Sequence, residues 1–95
     1  MSKRDAYVQK LHAKIDEWNA DIDTLKSKAD QVEADSKIEY QTQIEMLKQK
    51  RKDIEKKMAE MTRSGEDAWE DLKSGADLAW EAMNEAIQSA TSRFR

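Results

Sequence analysis

Residues 8–32 read VQKLHAKIDEWNADIDTLKSKADQV, and the spacing of their apolar side chains decides the fold class. Val8, Leu11, Ile15, Trp18, Ile22, Leu25, Ala29 and Val32 fall alternately three and four residues apart, with Ser36 next in line. That alternation is the heptad stripe of a helix that packs along another helix. Val8, Ile15 and Ile22 take the a positions, and Leu11 and Leu25 take d. β-Branched residues at a with leucine at d favour a parallel two-stranded pairing. Two charge pairs agree with it, Asp21 facing Lys26 and Lys28 facing Glu33 of a second copy. Trp18 at d is large for a two-stranded core and suits three or four helices as well. The eight residues from Val8 to Val32 are therefore the expected self-association seam, with a homo-oligomer expected and a dimer favoured.

Downstream the stripe changes step. Ser36, Tyr40 and Ile44 follow at intervals of four, and Leu47, Arg51, Ile54, Met58 and Met61 resume the earlier rhythm. One residue has been inserted relative to strict heptads, which locally unwinds a left-handed supercoil. Residues 30–45 contain no glycine or proline, so the expectation is one long coiled-coil helix over 1–62 with a heptad slip near 33–40. Such a helix would span roughly 90 Å.

Thr62-Arg63-Ser64-Gly65-Glu66-Asp67 is the expected boundary, a hinge or kink over 63–66. Ser64 can cap a new helix with Asp67 completing a capping-box-like pair, and Glu66 and Asp67 suit the positive end of a helix dipole. A lone glycine is also tolerated inside a helix at about 1 kcal/mol, so a helix running straight through remains open. Over 67–92 an amphipathic helix is expected, with an eleven-residue repeat. Ala68-Trp69 recurs as Ala79-Trp80, Leu72 as Met83, and Ala76 as Ile87. Eleven residues make three turns, so Trp69, Leu72, Ala76, Trp80, Met83, Ile87 and Phe94 share one face. This is a helix-packing face or, as the alternative, a lipid-contacting one. If the chain turns at Gly65, the partner of this face is the Tyr40–Met61 stripe, in an uneven antiparallel hairpin whose N-terminal arm projects for dimerisation. The expected class is thus all-α, an oligomeric coiled coil or a helical hairpin.

The chain has 95 residues, 39% of them charged and 38% hydrophobic, with no proline or cysteine and a net charge of −3. Lacking cysteine, it has no disulfide, thiolate metal site or cysteine nucleophile. No stretch approaches the roughly 18–20 apolar residues of a membrane span, which makes the cytoplasm the expected location. Residues 1–60 carry 13 basic and 13 acidic side chains, and residues 61–95 carry 4 and 7. Neither half has the cationic face of a nucleic-acid binder. The run 48–57 holds six basic side chains against Asp53 and Glu55, but a helix spreads it over nearly three turns. Nucleic acid is accordingly a disfavoured partner, and membrane contact ranks below helix packing because lysine and arginine are scarce opposite the Trp69/Trp80 face.

His12 is the single histidine and reads as a solvated side chain, since a metal or catalytic site needs convergent partners. Glu66–Asp67 and Glu70–Asp71 read as solvated helix surface. No catalytic, cofactor-binding or metal-binding residue is expected, and the chain is not expected to be an enzyme.

Arg4-Asp5-Ala6-Tyr7-Val8-Gln9-Lys10-Leu11, Ile15-Asp16-Glu17-Trp18-Asn19-Ala20 and Gly65-Glu66-Asp67-Ala68-Trp69-Glu70-Asp71-Leu72-Lys73, followed by Ala79-Trp80, together resemble a group of small bacterial coiled-coil proteins of cyanobacteria and proteobacteria described as stress-response proteins. The resemblance covers nearly the whole chain and is carried chiefly by the tryptophan-containing phrases. It implies a cytosolic helical protein and transfers no activity, cofactor or site residue. The eleven-residue pattern is also similar to that of lipid-binding apolipoproteins, a likeness of pattern only. The function expected is that of a non-enzymatic structural or interaction protein, possible protein clients included.

Overall fold

The computed structural model describes every residue except Met1, Glu66 and Arg95. The fold is all-α: α1 spans Lys3–Ala29, α2 spans Ala34–Arg63 and α3 spans Trp69–Arg93. The helices pack side by side into a rod of 51 × 19 × 19 Å. Its radius of gyration is 15.3 Å, against about 12 Å for a rounded domain of this length.

Local chemistry explains most of the helix ends. Ser2 caps α1 by accepting from the Asp5 N–H at 3.1 Å, and Asp5 itself sits in the positive first turn. Lys26 and Lys28 lie in the last turn, where cations offset the free carbonyls. Glu70 and Asp71 occupy the first turn of α3 and Arg93 its last.

Two sequence expectations fail here. The single helix over 1–62 does not exist, because the chain breaks at Asp30–Glu33 and α2 runs back along α1. The cause is not a breaker residue. Ala29 is small and Ser36 is polar, so the stripe is thin where the helix would have to stay straight. Folding back lets the stripe of α1 be covered at once by α2 of the same chain. The N-terminal arm therefore does not project for dimerisation, and it lies against both other helices.

The second difference concerns Ser64. It ends α2 instead of capping the next helix: its hydroxyl donates back to the Met61 carbonyl at 2.7 Å and its own N–H reaches the same oxygen at 3.2 Å. A hydroxyl can serve either neighbour, and here the preceding carbonyl wins. The dipole contribution expected of Glu66 lies outside the described residues. Ala68 and Trp69 instead donate to the Gly65 carbonyl at 3.2 and 3.3 Å, and α3 begins at Trp69 without a side-chain cap.

Successive helices are antiparallel, so α1 and α3 are parallel. One continuous core holds Leu11, Ile15, Trp18, Ile22, Leu25 and Ala29 of α1, Tyr40, Ile44, Leu47 and Ile54 of α2, and Met83, Ile87, Ala90 and Phe94 at the C-terminal end. A smaller cluster of Met61, Trp69 and Ala76 closes the opposite end, with Tyr7, Val8 and Leu72 packed on it. Ala76 and Met61 are fully buried, which permits close approach of α2 and α3 there.

Candidate functional site

The side chains singled out by periodicity converge on the inside of the bundle. Of the expected self-association seam, Leu11, Ile15, Trp18, Ile22, Leu25 and Ala29 are buried, and Val8 and Val32 are half-buried. The cover is supplied by α2 and α3 of the same chain, so a second copy is not needed to keep water from this stripe. The α3 face is treated alike. Trp69, Ala76, Met83, Ile87 and Phe94 are buried, and Leu72 and Trp80 are half-buried. A lipid surface could reach that face only after the bundle opened.

Between α1 and α3 the packing is aromatic. Tyr7 lies 6.0 Å from Trp69 and 6.2 Å from Trp80, and Trp18 meets Trp80 edge-on at 6.2 Å and 84°. Four large rings hold the two helix backbones apart. Their polar tips are satisfied across the same gap. The Trp18 indole N–H donates to Asn84 Oδ1 at 3.1 Å, and the Tyr7 hydroxyl donates to Asp77 in a short hydrogen bond. Burial, together with that hydrogen bond and the charge of the Asp77 carboxylate, pushes the Tyr7 hydroxyl far above its ordinary pKa. The Lys73 ammonium stands 5.6 Å from the centre of the Tyr7 ring.

Each end of the rod is also tied by polar contacts. Arg4 donates to the Ser64 carbonyl and joins the start of α1 to the end of α2. At the other end the Tyr40 and Phe94 rings stack at 4.0 Å, while the Tyr40 hydroxyl and Lys28 Nζ donate to the Phe94 carbonyl at 3.3 and 3.4 Å. Arg51 occupies its stripe position by turning its head sideways. Its Nη1 donates to Asn19 Oδ1 at 2.7 Å, and its Nε lies 3.2 Å from Glu55 Oε1. The Glu55 carboxylate sits off the N–H direction, leaving the buried Nε without a hydrogen bond.

Three of the six cations in the basic run 48–57 are engaged by neighbouring side chains. Lys48 lies 3.8 Å from Glu45, Lys57 is 3.0 Å from Asp53, and Arg51 points at α1. His12 is exposed and lies 3.7 Å from Asp16. Among the described residues no group of three histidine or acidic side chains is gathered as a metal site would require. No described helix is long and apolar enough to cross a membrane.

The Tyr7–Asp77 and Trp18–Asn84 pairs and the Phe94 clasp escape sequence reasoning. Their partners stand 54 to 70 residues apart, and no local pattern connects them. The outer face of α2 also escapes it, where Ile38 and Met46 remain exposed. No family model matches the chain, and neither the curated proteins nor the solved structures contain a significant match to it.

Proposed function

We propose that this chain works through helix–helix association and not through chemistry: a non-enzymatic structural or interaction protein of the cytoplasm, with a stress-related role, that self-associates and binds other proteins through helical faces. The supporting observation is the investment of the sequence in packing stripes. Nearly every large apolar side chain of α1 lies on the one heptad-spaced face, the kind that recognises another helix by shape and register. The stress-related role rests on the resemblance carried by the tryptophan-containing phrases of both ends. Because the stripe of α1 is already covered within the chain, its use between molecules requires helix exchange or partial opening.

Sedimentation equilibrium across the micromolar to millimolar range tests the reading. A reversible or slowly exchanging dimer is expected, and a folded protein that stays monomeric throughout refutes self-association. The rival reading is a lipid-surface protein using the Trp69/Trp80 face. That face is interior in the closed bundle, so lipid binding predicts a vesicle-dependent change in tryptophan emission together with loss of the α2–α3 contacts. Unchanged emission with both anionic and neutral vesicles dismisses it. Nucleic-acid association through residues 48–57 is the weakest reading, since acidic neighbours face three of its cations.

A further inference from the structure

The turn between α1 and α2 is built as an interrupted helix. The N–H groups of Asp30, Gln31 and Val32 all bond backwards into α1, to Lys26, Lys28 and Ala29 carbonyls at 3.1, 3.0 and 3.5 Å. Asp30 has φ −69 and ψ −17, already right-handed helical. Among the described residues none takes a positive φ, and the turn contains no glycine or proline. Glu33 departs from helix, with φ −68 and ψ 160, an extended backbone. Its φ suits a helix as it stands, and the carboxylate makes no capping hydrogen bond to the start of α2.

The buried faces on either side are in phase. From Ala29 to Tyr40 is eleven residues, so in an uninterrupted helix Tyr40 comes within about 20° of Ala29. The inserted residue of the heptad slip is what maintains that alignment across the turn. A straightened α1–α2 helix would therefore present the α1 core residues and the α2 core residues on one side. It would also give the N–H groups of Ala34, Asp35 and Ser36 helical acceptors at Asp30, Gln31 and Val32, which the closed turn denies them.

We propose that α1 and α2 straighten at Glu33 and that two chains then exchange α1, each α1 taking on a second copy the place it holds against its own α2 and α3. This names the route of the self-association proposed above and rests on that reading. Every core contact of the closed bundle is kept in the exchanged dimer, because the same surfaces meet. Only the hinge differs. With the register that brings Asn19 to Arg51, the two-fold axis falls near residue 35, and Glu33 then faces Lys37 of the second copy twice, a pairing of opposite charges.

Ala34→Pro separates exchange from any other mode of dimerisation. Proline is suited to the first residue of α2, and the extended Glu33 before it is the conformation proline imposes on its predecessor. In a straightened helix the same ring would clash with the Asp30 carbonyl. Wild-type protein refolded at millimolar concentration is expected to yield a dimer, separable by size exclusion and slow to dissociate on dilution. Its X-ray scattering should give a maximum dimension of at least about 90 Å, the length of a helix over residues 3–63. Ala34→Pro should keep the helical content of the monomer and lower the dimer yield at least tenfold. Deleting residues 30–33 brings Ala29 and Tyr40 seven residues apart, removes the closed turn, and should make the dimer the dominant form. If wild type dimerises and Ala34→Pro does so equally, self-association stands and exchange is overturned. If neither wild type nor the deletion dimerises, both fall.

Discussion

Trp18 is the largest fully buried side chain among the described residues, and Trp18→Ala makes its part in the interior measurable. The indole is 1% exposed, meets Trp80 edge-on and donates its N–H to Asn84. A buried tryptophan removes on the order of 200 Å² from water, worth about 5 kcal/mol at 25 cal/mol per Å². Alanine retains a small part of that, and the cavity between α1 and α3 cannot close fully while Tyr7, Trp69 and Trp80 hold the backbones apart. The expected loss is about 3–5 kcal/mol. A domain of this size has on the order of 5–14 kcal/mol in total, so the variant should sit close to the edge of folding. Urea unfolding followed by far-ultraviolet circular dichroism measures the loss directly, and melting should fall by roughly 15–30 °C. Leu78→Ala is the control: Leu78 is 69% exposed and its truncation should change stability by no more than about 0.5 kcal/mol. A loss below about 1 kcal/mol for Trp18→Ala would refute this packing. So would a loss that appears only at concentrations where the protein dimerises, because the stripe would then be an intermolecular seam.

Three further outcomes follow from particular contacts. Gly75 lies within α3, and a Cβ added there meets Lys57 Cε at an ordinary 3.9 Å, so Gly75→Ala should raise stability by about 0.5–1 kcal/mol in a thermal melt. Arg51→Met removes a cation whose Nε is buried without a hydrogen bond while keeping the stem volume; stability should be unchanged or higher by up to about 2 kcal/mol, whereas Asn19→Leu, which strands the guanidinium, should lower it. The raised Tyr7 pKa stabilises the folded state fully below the ordinary tyrosine value near 10, and this contribution is lost as pH rises above that value toward the folded one. Tyr7→Phe should therefore abolish a late-titrating tyrosinate absorbance and flatten the alkaline fall of stability. A Tyr7 that titrates like free tyrosine would contradict the Asp77 pairing.

The helices and their inward faces were legible because burial imposes a period, and the period survives in the residue types. Leu11, Ile15, Ile22, Ile54, Met83 and Ile87 could be recognised as interior with no knowledge of what covers them. The covering element could not be read. A heptad stripe states that another helix is present and leaves open whether it belongs to a second molecule or to the same chain. The turn at Asp30–Glu33 is the sharpest case. Its residues are all compatible with a helix, and what ends α1 there is the tertiary gain from folding back rather than any local preference. Only the thin seam at Ala29 and Ser36 marks the place. Ser64 shows the opposite ambiguity: a hydroxyl next to a glycine marks an end, but the same group can bond forward to a new helix or back to the old one. The aromatic gap between α1 and α3 needs Tyr7 and Trp18 to meet Trp69 and Trp80, and the pairing exists only once the chain has turned twice.

Whether α2 runs back along α1 can be asked of the monomer itself. Spin labels placed through Gln9→Cys and Thr62→Cys, both exposed positions in a chain without natural cysteine, report the separation of the two helix ends by pulsed dipolar spectroscopy. In the closed bundle, with helix axes about 8–10 Å apart, the labels should lie within about 35 Å of one another. A distance near 80 Å in molecules that sediment as monomers, the length of an unbroken helix between those positions, would contradict it.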